Sequence, residues 1–475
     1  MNQREAIKVS ALQEKNSLNV NKNIFRAYDI RGIYPQEINA DNVYLIARAI
    51  AKIIKNKNDD PVLICRDGRL SSNELKKSLI NGLNDTGLNT IDIGELPTPL
   101  LNFAMNFSNI KNGLMITGSH NPKDFNGVKI VIDGLTLYGE YIDEIYNLIT
   151  SNSLDEISSL GTSLEDNRIK DSYLDYLQPQ FEFETKEKII VDCGNGVTGK
   201  IMRDLREKFK LDMTILNEEV DGGFPSHPPD PSNPDNLKEL INAVRDCKAD
   251  LGVAFDGDGD RIVLVTGNGS IIWPDQMMMI FSKDILNHNK GTIIFDIKCS
   301  RHLEEVIRSS GGTPIISRTG HSYIKRAIKE NNALLGGEMS GHIFFNDDWF
   351  GFDDGIYSLM RMLKVLSRNK TIEGLCKGLP DSITTHEISI EFSDNKHFTF
   401  MDKFVKLPEF SKVNKIEIDG LKLMYEDGWG LIRCSNTTPC IVLRFEADNK
   451  KAMSRIQSTV KSAMLKIDKN LEVPF

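Results

Sequence analysis

The run DGDGDR sets Asp256, Asp258 and Asp260 at alternate positions, with glycines between them, directly after the apolar stretch LGVAF. In an extended loop alternate side chains share one side, so three carboxylates converge, and the glycines let the backbone wrap a small centre. Hard oxygen ligands in that number suit one Mg²⁺ ion and fill about half of an octahedral shell. An EF-hand does not fit, because its loop would need glycine where Arg261 stands and glutamate where Gly267 stands. A second polar loop, TGSHNP from Thr117 to Pro122, presents Ser119 beside His120 after another apolar run. A plain hydroxyl is a weak metal ligand, whereas a phosphorylated Ser119 would bring strong acceptor oxygens and about two negative charges to complete the shell. The plainer alternative is a serine that caps a turn before Asn-Pro. GSHN lacks the second glycine of the GxSxG elbow that carries an activated hydrolase serine.

Two further loops carry polar chemistry of other kinds. RCSNTTP, Arg433 to Pro439, offers an arginine fork, hydroxyls, an amide and backbone N–H groups in one tight turn, which is what a phosphate dianion needs. It lacks the spacing of a Walker loop, and a Ser/Thr-rich hairpin turn is its plain alternative. GEMSGH, Gly337 to His342, combines the Glu338 carboxylate, the Ser340 hydroxyl and the His342 imidazole, a set that suits vicinal sugar hydroxyls.

Strands and helices must position these loops, and the chain repeats one plan to do so. Segments beginning at Pro61, Lys188 and Gly291 each read as apolar strand, polar turn, amphipathic helix, glycine and second apolar strand. The strands are continuous apolar runs, as parallel strands covered on both faces should be, so each segment is a βαβ unit. Each copy continues into another strand and a Gly-rich polar loop, the place where open α/β sheets put ligand sites. After about Pro380 the pattern changes to alternating strands separated by turn signals, closed by a helix from about Asn449, a smaller α+β domain. The expected organisation is an N-terminal tail over 1–24 and domains over 25–168, 169–270, 271–381 and 382–475.

Composition excludes several classes. At 475 residues the chain is too long for one core. With 58 Lys and Arg against 67 Asp and Glu, net −9, and no basic block long enough to suggest a nucleic-acid arm, no nucleic-acid partner is expected, and an anionic ligand must meet a locally positive cleft. Seven cysteines without a CxxC pair fit a reduced interior. The polar N-terminus lacks the apolar core of a signal peptide and no stretch reaches spanning length, so a cytoplasmic protein without membrane contact is expected.

Together FRAYDIRG (Phe25 to Gly32), TGSHNP, NGVKIV, DGDGDR, DIKCSRHL, TGHSYIK, GEMSGH and RCSNTTP resemble the α-D-phosphohexomutases, specifically the bacterial phosphomannomutase/phosphoglucomutase branch, from about Phe25 to the C-terminus. The resemblance implies a four-domain phosphohexomutase architecture, three tandem mixed α/β sheet domains plus a C-terminal α+β domain, around a central cleft. It implies an isomerase that interconverts hexose 1-phosphate and hexose 6-phosphate through a phosphoserine and a hexose 1,6-bisphosphate, which also serves as activator. On the family's pattern Ser119 is the phosphoserine, and Asp256, Asp258 and Asp260 hold one Mg²⁺ per chain against its phosphate. Lys129 and His120 stand beside the phosphoryl group and Arg261 supports the acidic loop. Glu338 and Ser340 hold sugar hydroxyls with His342 near the reacting end, while Arg433, Ser435, Asn436 and Thr437 clamp the non-reacting phosphate. Tyr28, Arg31, Lys298 and His321 also touch substrate.

A sugar that presents its two ends in turn must bind in two opposed poses. A half-turn exchanging C1 and C6 roughly exchanges the 3- and 4-hydroxyls, so one acid–hydroxyl pair serves both poses and the 2-hydroxyl is read weakly. Glucose and mannose phosphates differ only there, where pocket discrimination is worth about 1–3 kcal/mol, so dual specificity is expected. For acid–base work the sequence leaves His342, His120, Lys129 and Arg31 open, with His342 and Lys129 favoured, the lysine through a pKa lowered by neighbouring cations. The other readings are a phosphoglucosamine mutase, a phosphatase and a non-catalytic sugar-phosphate-binding protein. The expected partners are small-molecule hexose phosphates, and the expected state is a monomer or weak homo-oligomer.

Overall fold

The computed structural model describes residues 20–475 except 156, 158–159, 183, 369, 394–395 and 436–438. The chain divides into two compact units, one running to Met277 and including Ser340–Cys376, the other made of Met278–Met339 and Lys377–Phe475.

Each of the three expected βαβ units forms. Strand Val62–Arg66 pairs in parallel with Thr90–Glu95, Ile189–Asp192 with Met213–Leu216, and Thr292–Asp296 with Thr313–Ser317. A third parallel strand lies on the other side of the leading strand in each copy, namely Asn112–Ile116, Leu251–Phe255 and Leu335–Gly337. The leading strands are buried along most of their length, which is why they read as unbroken apolar runs rather than alternating ones.

In the first unit two of these third strands turn back as hairpins. Asn112–Ile116 pairs antiparallel with Phe125–Ile132, and Leu251–Phe255 with Ile262–Thr266. The Ser119 and acidic loops are the connections of these hairpins, so both leave the carboxyl end of a parallel strand. Helices Ala40–Lys55 and Ser72–Asn84 pack closely on the first sheet's core of Ile46, Ile50, Ile64, Leu79, Leu83 and Leu114. Their approach depends on Gly82, where a Cβ would stand 2.6 Å from the Tyr44 carbonyl oxygen. Strand Ile343–Phe345 and helix Gly355–Leu366, capped by Asp354, complete the unit.

In the second unit the parallel strands carry helices Arg301–Ser309 and His321–Asn331. The C-terminal part is the expected antiparallel meander, Leu421–Tyr425, Gly428–Cys434 and Cys440–Ala447, closed by helix Lys450–Ile467. Asn449 starts that helix by accepting a hydrogen bond from the Ala452 amide at 3.0 Å. A helix at Lys396–Phe404, burying Phe400 and Phe404, lies where the strand reading placed none.

The tail expected over 1–24 is shorter where it can be seen. Val20 and Ile24 are buried in the first core, Ile24 completely, so apolar burial begins ahead of the FRAYDIRG motif. All seven cysteines are free, and among the described residues no helix is long and apolar enough to cross a membrane.

Candidate active site

Ser119 sits at the tip of the first hairpin with φ 49°, in the left-handed region that side chains other than Gly, Asn and Asp avoid. Its hydroxyl donates to Asp256 Oδ2 at 3.0 Å and lies 3.2 Å from His120 Nδ1. Thus a residue of the first domain and one of the second meet at a single oxygen, 137 positions apart in sequence. Burial, and then the positive charges of Arg261 and Arg31, push the His120 imidazole well below its usual pKa, so it is neutral and a weaker base than a free imidazole. Arg31 stands on the same side, bonded to Asn121 Oδ1 at 2.5 Å and to Asp29 at 2.6 Å.

The acidic loop converges as expected but by another geometry. The alternation of an extended loop is replaced by a tight turn, with Gly259 at φ 73° and its N–H bonded to the Asp256 carbonyl at 3.1 Å. Potential ligand atoms of Asp256, Asp258 and Asp260 lie within 4.8 Å of one another, and all three residues are fully buried. Asp258 Oδ1 and Asp260 Oδ1 are buried without a hydrogen-bond partner among the described residues. Unsatisfied buried carboxylate oxygens are costly, and a divalent cation is the ligand that satisfies them. The second oxygens are held: Asp258 Oδ2 by Thr98 Oγ1 at 2.6 Å and Lys129 Nζ at 2.7 Å, Asp260 Oδ2 by Lys129 Nζ at 2.5 Å.

That placement reverses the expected environment of Lys129. Burial lowers its pKa, but Asp258, Asp260, Asp353 and Asp256 outweigh burial and hold the ammonium protonated, above its usual range. The geometry makes it the fixed cation of the acidic turn. His342, the other favoured helper, is also engaged on both ring nitrogens. Nε2 accepts from Arg261 Nε at 3.0 Å, and Nδ1 lies 3.0 Å from Asp353 Oδ2 and 3.5 Å from Asp260 Oδ1. Arg261 in turn donates its backbone N–H to Asp256 Oδ1 at 3.1 Å, the supporting contact expected of it.

Asp353 is the residue of this cluster that sequence reasoning missed. It reaches the turn because Phe344 and Asp353 form an antiparallel bridge, as do Arg261 and His342. Its only local signal was the pair of acids before helix Gly355–Leu366, where Asp354 is the N-cap and Asp353 points the other way. Thr98, the first residue of helix Thr98–Ser108, was also missed, because nothing in its own segment sets it against Asp258, 160 positions away. Asp192, His227 and Glu239 form another acid–imidazole group, in which the ring nitrogens of His227 face Asp192 Oδ2 at 3.0 Å and the Pro228 carbonyl at 2.8 Å.

The second unit holds most of the remaining expected residues. Glu338 is buried and accepts from the Gly320 amide at 2.6 Å, next to His321 at the start of its helix. Lys298 Nζ pairs with Glu387 at 2.7 Å, and that lysine's charge pulls the Glu387 carboxyl down to about 2. Arg433 Nε bonds Asp419 at 3.0 Å, whose Oδ2 also accepts the Thr319 amide at 3.1 Å. Glu387 and Asp419 were not anticipated. Ser435 is buried, while Asn436 and Thr437 lie outside the described residues. Ser340 and Tyr28 are half-buried in the first unit.

The Lys298 segment is gripped from beneath by two buried cations. Lys422 Nζ donates to the carbonyls of Ile297 at 2.8 Å and Cys299 at 3.1 Å, above the Trp429 ring, and Arg444 donates to that of Lys298 at 2.5 Å. Burial pushes the Lys422 ammonium from 10.5 down to about 8. The fold therefore bears the cost of a buried charge below about pH 8 and sheds it as pH rises toward 10.5, where the unfolded chain also deprotonates. Lys422→Met removes this contribution. The melting temperature of the wild type is expected to gain on that of the variant between pH 8 and 10.5, read by calorimetry, and a constant difference would contradict the assignment.

A serine hydroxyl bonded to a carboxylate of a buried acidic turn, on repeated α/β domains, is the constellation of a phosphoryl-transfer enzyme. Comparison with known proteins agrees across the chain. Residues 22–156, 171–269 and 273–383 match the alpha/beta/alpha domains I, II and III of phosphoglucomutase/phosphomannomutase, and 393–463 match its C-terminal domain. The phosphomannomutase/phosphoglucomutase of Pseudomonas syringae is 45% identical over 95% of this chain and 97% of that protein. A phosphoglucomutase of Neisseria gonorrhoeae is 42% identical over 94% and 97%. The crystal structure of a phosphoglucomutase/phosphomannomutase family protein from Burkholderia thailandensis superposes with a TM-score of 0.89 at 38% identity, covering 96% of this chain and all of that one. The chain belongs to the phosphoglucomutase/phosphomannomutase family, and its four-domain architecture and mutase-type, isomerase-class activity follow from that membership.

Proposed function

We propose that the chain interconverts the 1- and 6-phosphates of both glucose and mannose, with Ser119 as the phosphoryl carrier and Mg²⁺ held by Asp256, Asp258 and Asp260. The observation that carries this reading is the Ser119 Oγ to Asp256 Oδ2 contact of 3.0 Å, which sets the acceptor oxygen against the acidic turn. A divalent cation bound there would neutralise the developing charge on the phosphoryl oxygens. Once Asp256 is ionised, the four buried carboxylates of Asp256, Asp258, Asp260 and Asp353 against the cations of Lys129 and Arg261 leave an excess of negative charge, which a divalent ion would neutralise.

In the forward direction the P–O bond to Ser119 Oγ breaks as one forms to the free C6 or C1 hydroxyl of the bound monophosphate; that hydroxyl gives up its proton and Ser119 Oγ takes one up, leaving a neutral serine and the 1,6-bisphosphate. The sugar then turns, and its other phosphoryl group returns to Ser119 Oγ. Phosphorus is conserved throughout, with the bisphosphate as the activator that recharges a dephosphorylated serine. When Ser119 Oγ is the acceptor its proton must leave, and two groups lie within reach: the Asp256 carboxylate, which already accepts from it and whose pKa is raised, and the His120 imidazole, the weaker base of the two. Lys129 and Arg31 supply fixed positive charge beside the transferred group, and Arg261 and His342 brace the turn from the side of Asp353. Glu338 and Ser340 hold the 3- and 4-hydroxyls, Arg433 with Ser435, Asn436 and Thr437 hold the non-reacting phosphate, and Tyr28, Lys298 and His321 complete the sugar site.

The test is a parallel assay of glucose 1-phosphate, mannose 1-phosphate and glucosamine 1-phosphate with Mg²⁺ and a bisphosphate activator. Glucose and mannose substrates are expected to turn over within about tenfold of each other, in line with weak reading of the 2-hydroxyl. A preference for glucosamine 1-phosphate, or release of free phosphate, would overturn the reading. Chelation is expected to abolish turnover, with Mg²⁺ restoring it.

A further inference from the structure

We propose that Asp67 and Arg69 are positioning residues of the phosphoryl transfer, fixing the turn that carries Ser119 in the one conformation that aims its hydroxyl at the acidic turn. The inference rests on Ser119 being the phosphoryl carrier.

Arg69 is buried completely, yet its side chain is spent on the turn rather than on the core. Nε donates to Asp67 Oδ2 at 3.1 Å, Nη1 to the carbonyls of Pro122 at 2.6 Å and Phe125 at 3.0 Å, and Nη2 to those of Ser119 at 2.7 Å and Asn121 at 2.6 Å. A guanidinium has only that many N–H groups, so every donor is used, and four of them close the loop around the catalytic serine. Gly118 is required for this, because a Cβ there would stand 2.4 Å from Arg69 Cζ. The Phe224 ring lies 5.0 Å from the same carbon.

Asp67 holds the other half of the turn. Its Oδ2 accepts from Thr117 Oγ1 at 2.8 Å and from the Gly118 amide at 3.1 Å, and Thr117 Oγ1 in turn accepts from the Ser119 amide at 2.7 Å. Both backbone groups of Ser119 are thereby tied to one ion pair, the N–H through Thr117 and the C=O through Arg69. These ties impose φ 49° on a residue type that avoids it. Without them the turn relaxes to an ordinary backbone and the hydroxyl swings off the line of transfer, while the apolar core of the domain is untouched.

The repeat offers a comparison inside the chain. Asp296 ends the leading strand of the third copy as Asp67 follows that of the first, and accepts from the Met339 amide at 3.4 Å in the corresponding loop. The cation two positions on is Lys298 instead of Arg69, and it turns away to Glu387. The five-donor clamp is thus built on the copy whose loop must deliver a nucleophile.

The test uses the full chain, with Arg69→Lys and Asp67→Asn as the variants and Arg48→Lys as the control for loss of a buried arginine in the same domain. With glucose 1-phosphate and saturating bisphosphate, both clamp variants are expected to lose about 100-fold in kcat, the scale of a displacement near one ångström, with KM little changed. Arg48→Lys is expected to lower the melting temperature and keep kcat. Intact mass after incubation with glucose 1,6-bisphosphate is expected to show the clamp variants phosphorylated, with transfer slow in a single turnover. Wild-type kcat in either folded clamp variant, or loss of kcat in all three variants in proportion to melting temperature, would overturn the proposal. Should neither clamp variant fold, Thr117→Val decides it: that change cuts the tie to the Ser119 amide and leaves the ion pair, and unchanged kcat would sink the idea. Activity in Ser119→Ala would instead remove the reading on which the proposal rests, whatever the clamp variants do.

Discussion

Ser119→Ala is expected to lower interconversion of glucose 1-phosphate and glucose 6-phosphate by at least about 10⁴-fold, the scale seen when a covalent nucleophile is removed. The fold should survive. Asp256 loses one donor, Ser119 Oγ, but keeps the Arg261 amide on its other oxygen at 3.1 Å, so the cost is on the order of 1 kcal/mol. The backbone of residue 119 is held by Thr117 and Arg69 through its own N–H and C=O, contacts that alanine retains. Coupled assay gives the activity, thermal melting the stability, and intact mass the absence of a phosphate adduct. A variant that still interconverts the phosphates at the wild-type rate would show that the phosphoryl group travels by another route, and would remove the role assigned to the acidic turn with it.

Asp256→Asn is expected to separate function from stability. Burial, then the charges of Asp258 and Asp260, hold the Asp256 carboxyl well above its ordinary 3.8. A carboxyl with a raised folded pKa favours the fold only while it is protonated. Its contribution is complete below about 3.8 and is lost as pH climbs through the folded value, so at high pH the ionised group strains the metal-free fold. Asparagine keeps the size and an acceptor for the Arg261 amide without the charge. The metal-free variant should therefore melt no lower than the wild type at pH 8 and above. Its activity should fall about 10³-fold, as when a preorganised stabiliser of transition-state charge is removed, and added Mg²⁺ should no longer raise its melting temperature. An Mg²⁺-dependent shift as large as that of the wild type would exclude Asp256 from the metal site.

The chemistry of this protein was legible because it is local. Ser119 with His120, the three aspartates and Glu338 each belong to a short loop after a buried strand, and Arg433 to the end of such a strand, so residue type plus spacing states what each can hold. The three βαβ units were legible for the same reason, since apolar strands and amphipathic helices announce themselves at periods of two and 3.6 residues or as unbroken runs.

What the sequence left open concerns pairs that no local motif joins, whether near or distant along the chain. Lys129 could be placed beside a phosphoryl group, but not between two particular carboxylates, because Asp258 and Asp260 lie in another domain. That pairing turned the expected low-pKa base into a fixed cation. Asp353, Asp419 and Glu387 gave no motif at all, since an isolated acid acquires a role only from the arginine, lysine or histidine that the fold sets against it. The acidic run fixed how many carboxylates meet, while the tight turn at Gly259 decided which oxygens remain open to a cation. By itself, then, the sequence determined which chemical groups each loop carries and the order of the domains that carry them. Only tertiary structure decided protonation, partnership and aim, because those depend on burial and on charges a few ångströms away that come from other segments of the chain.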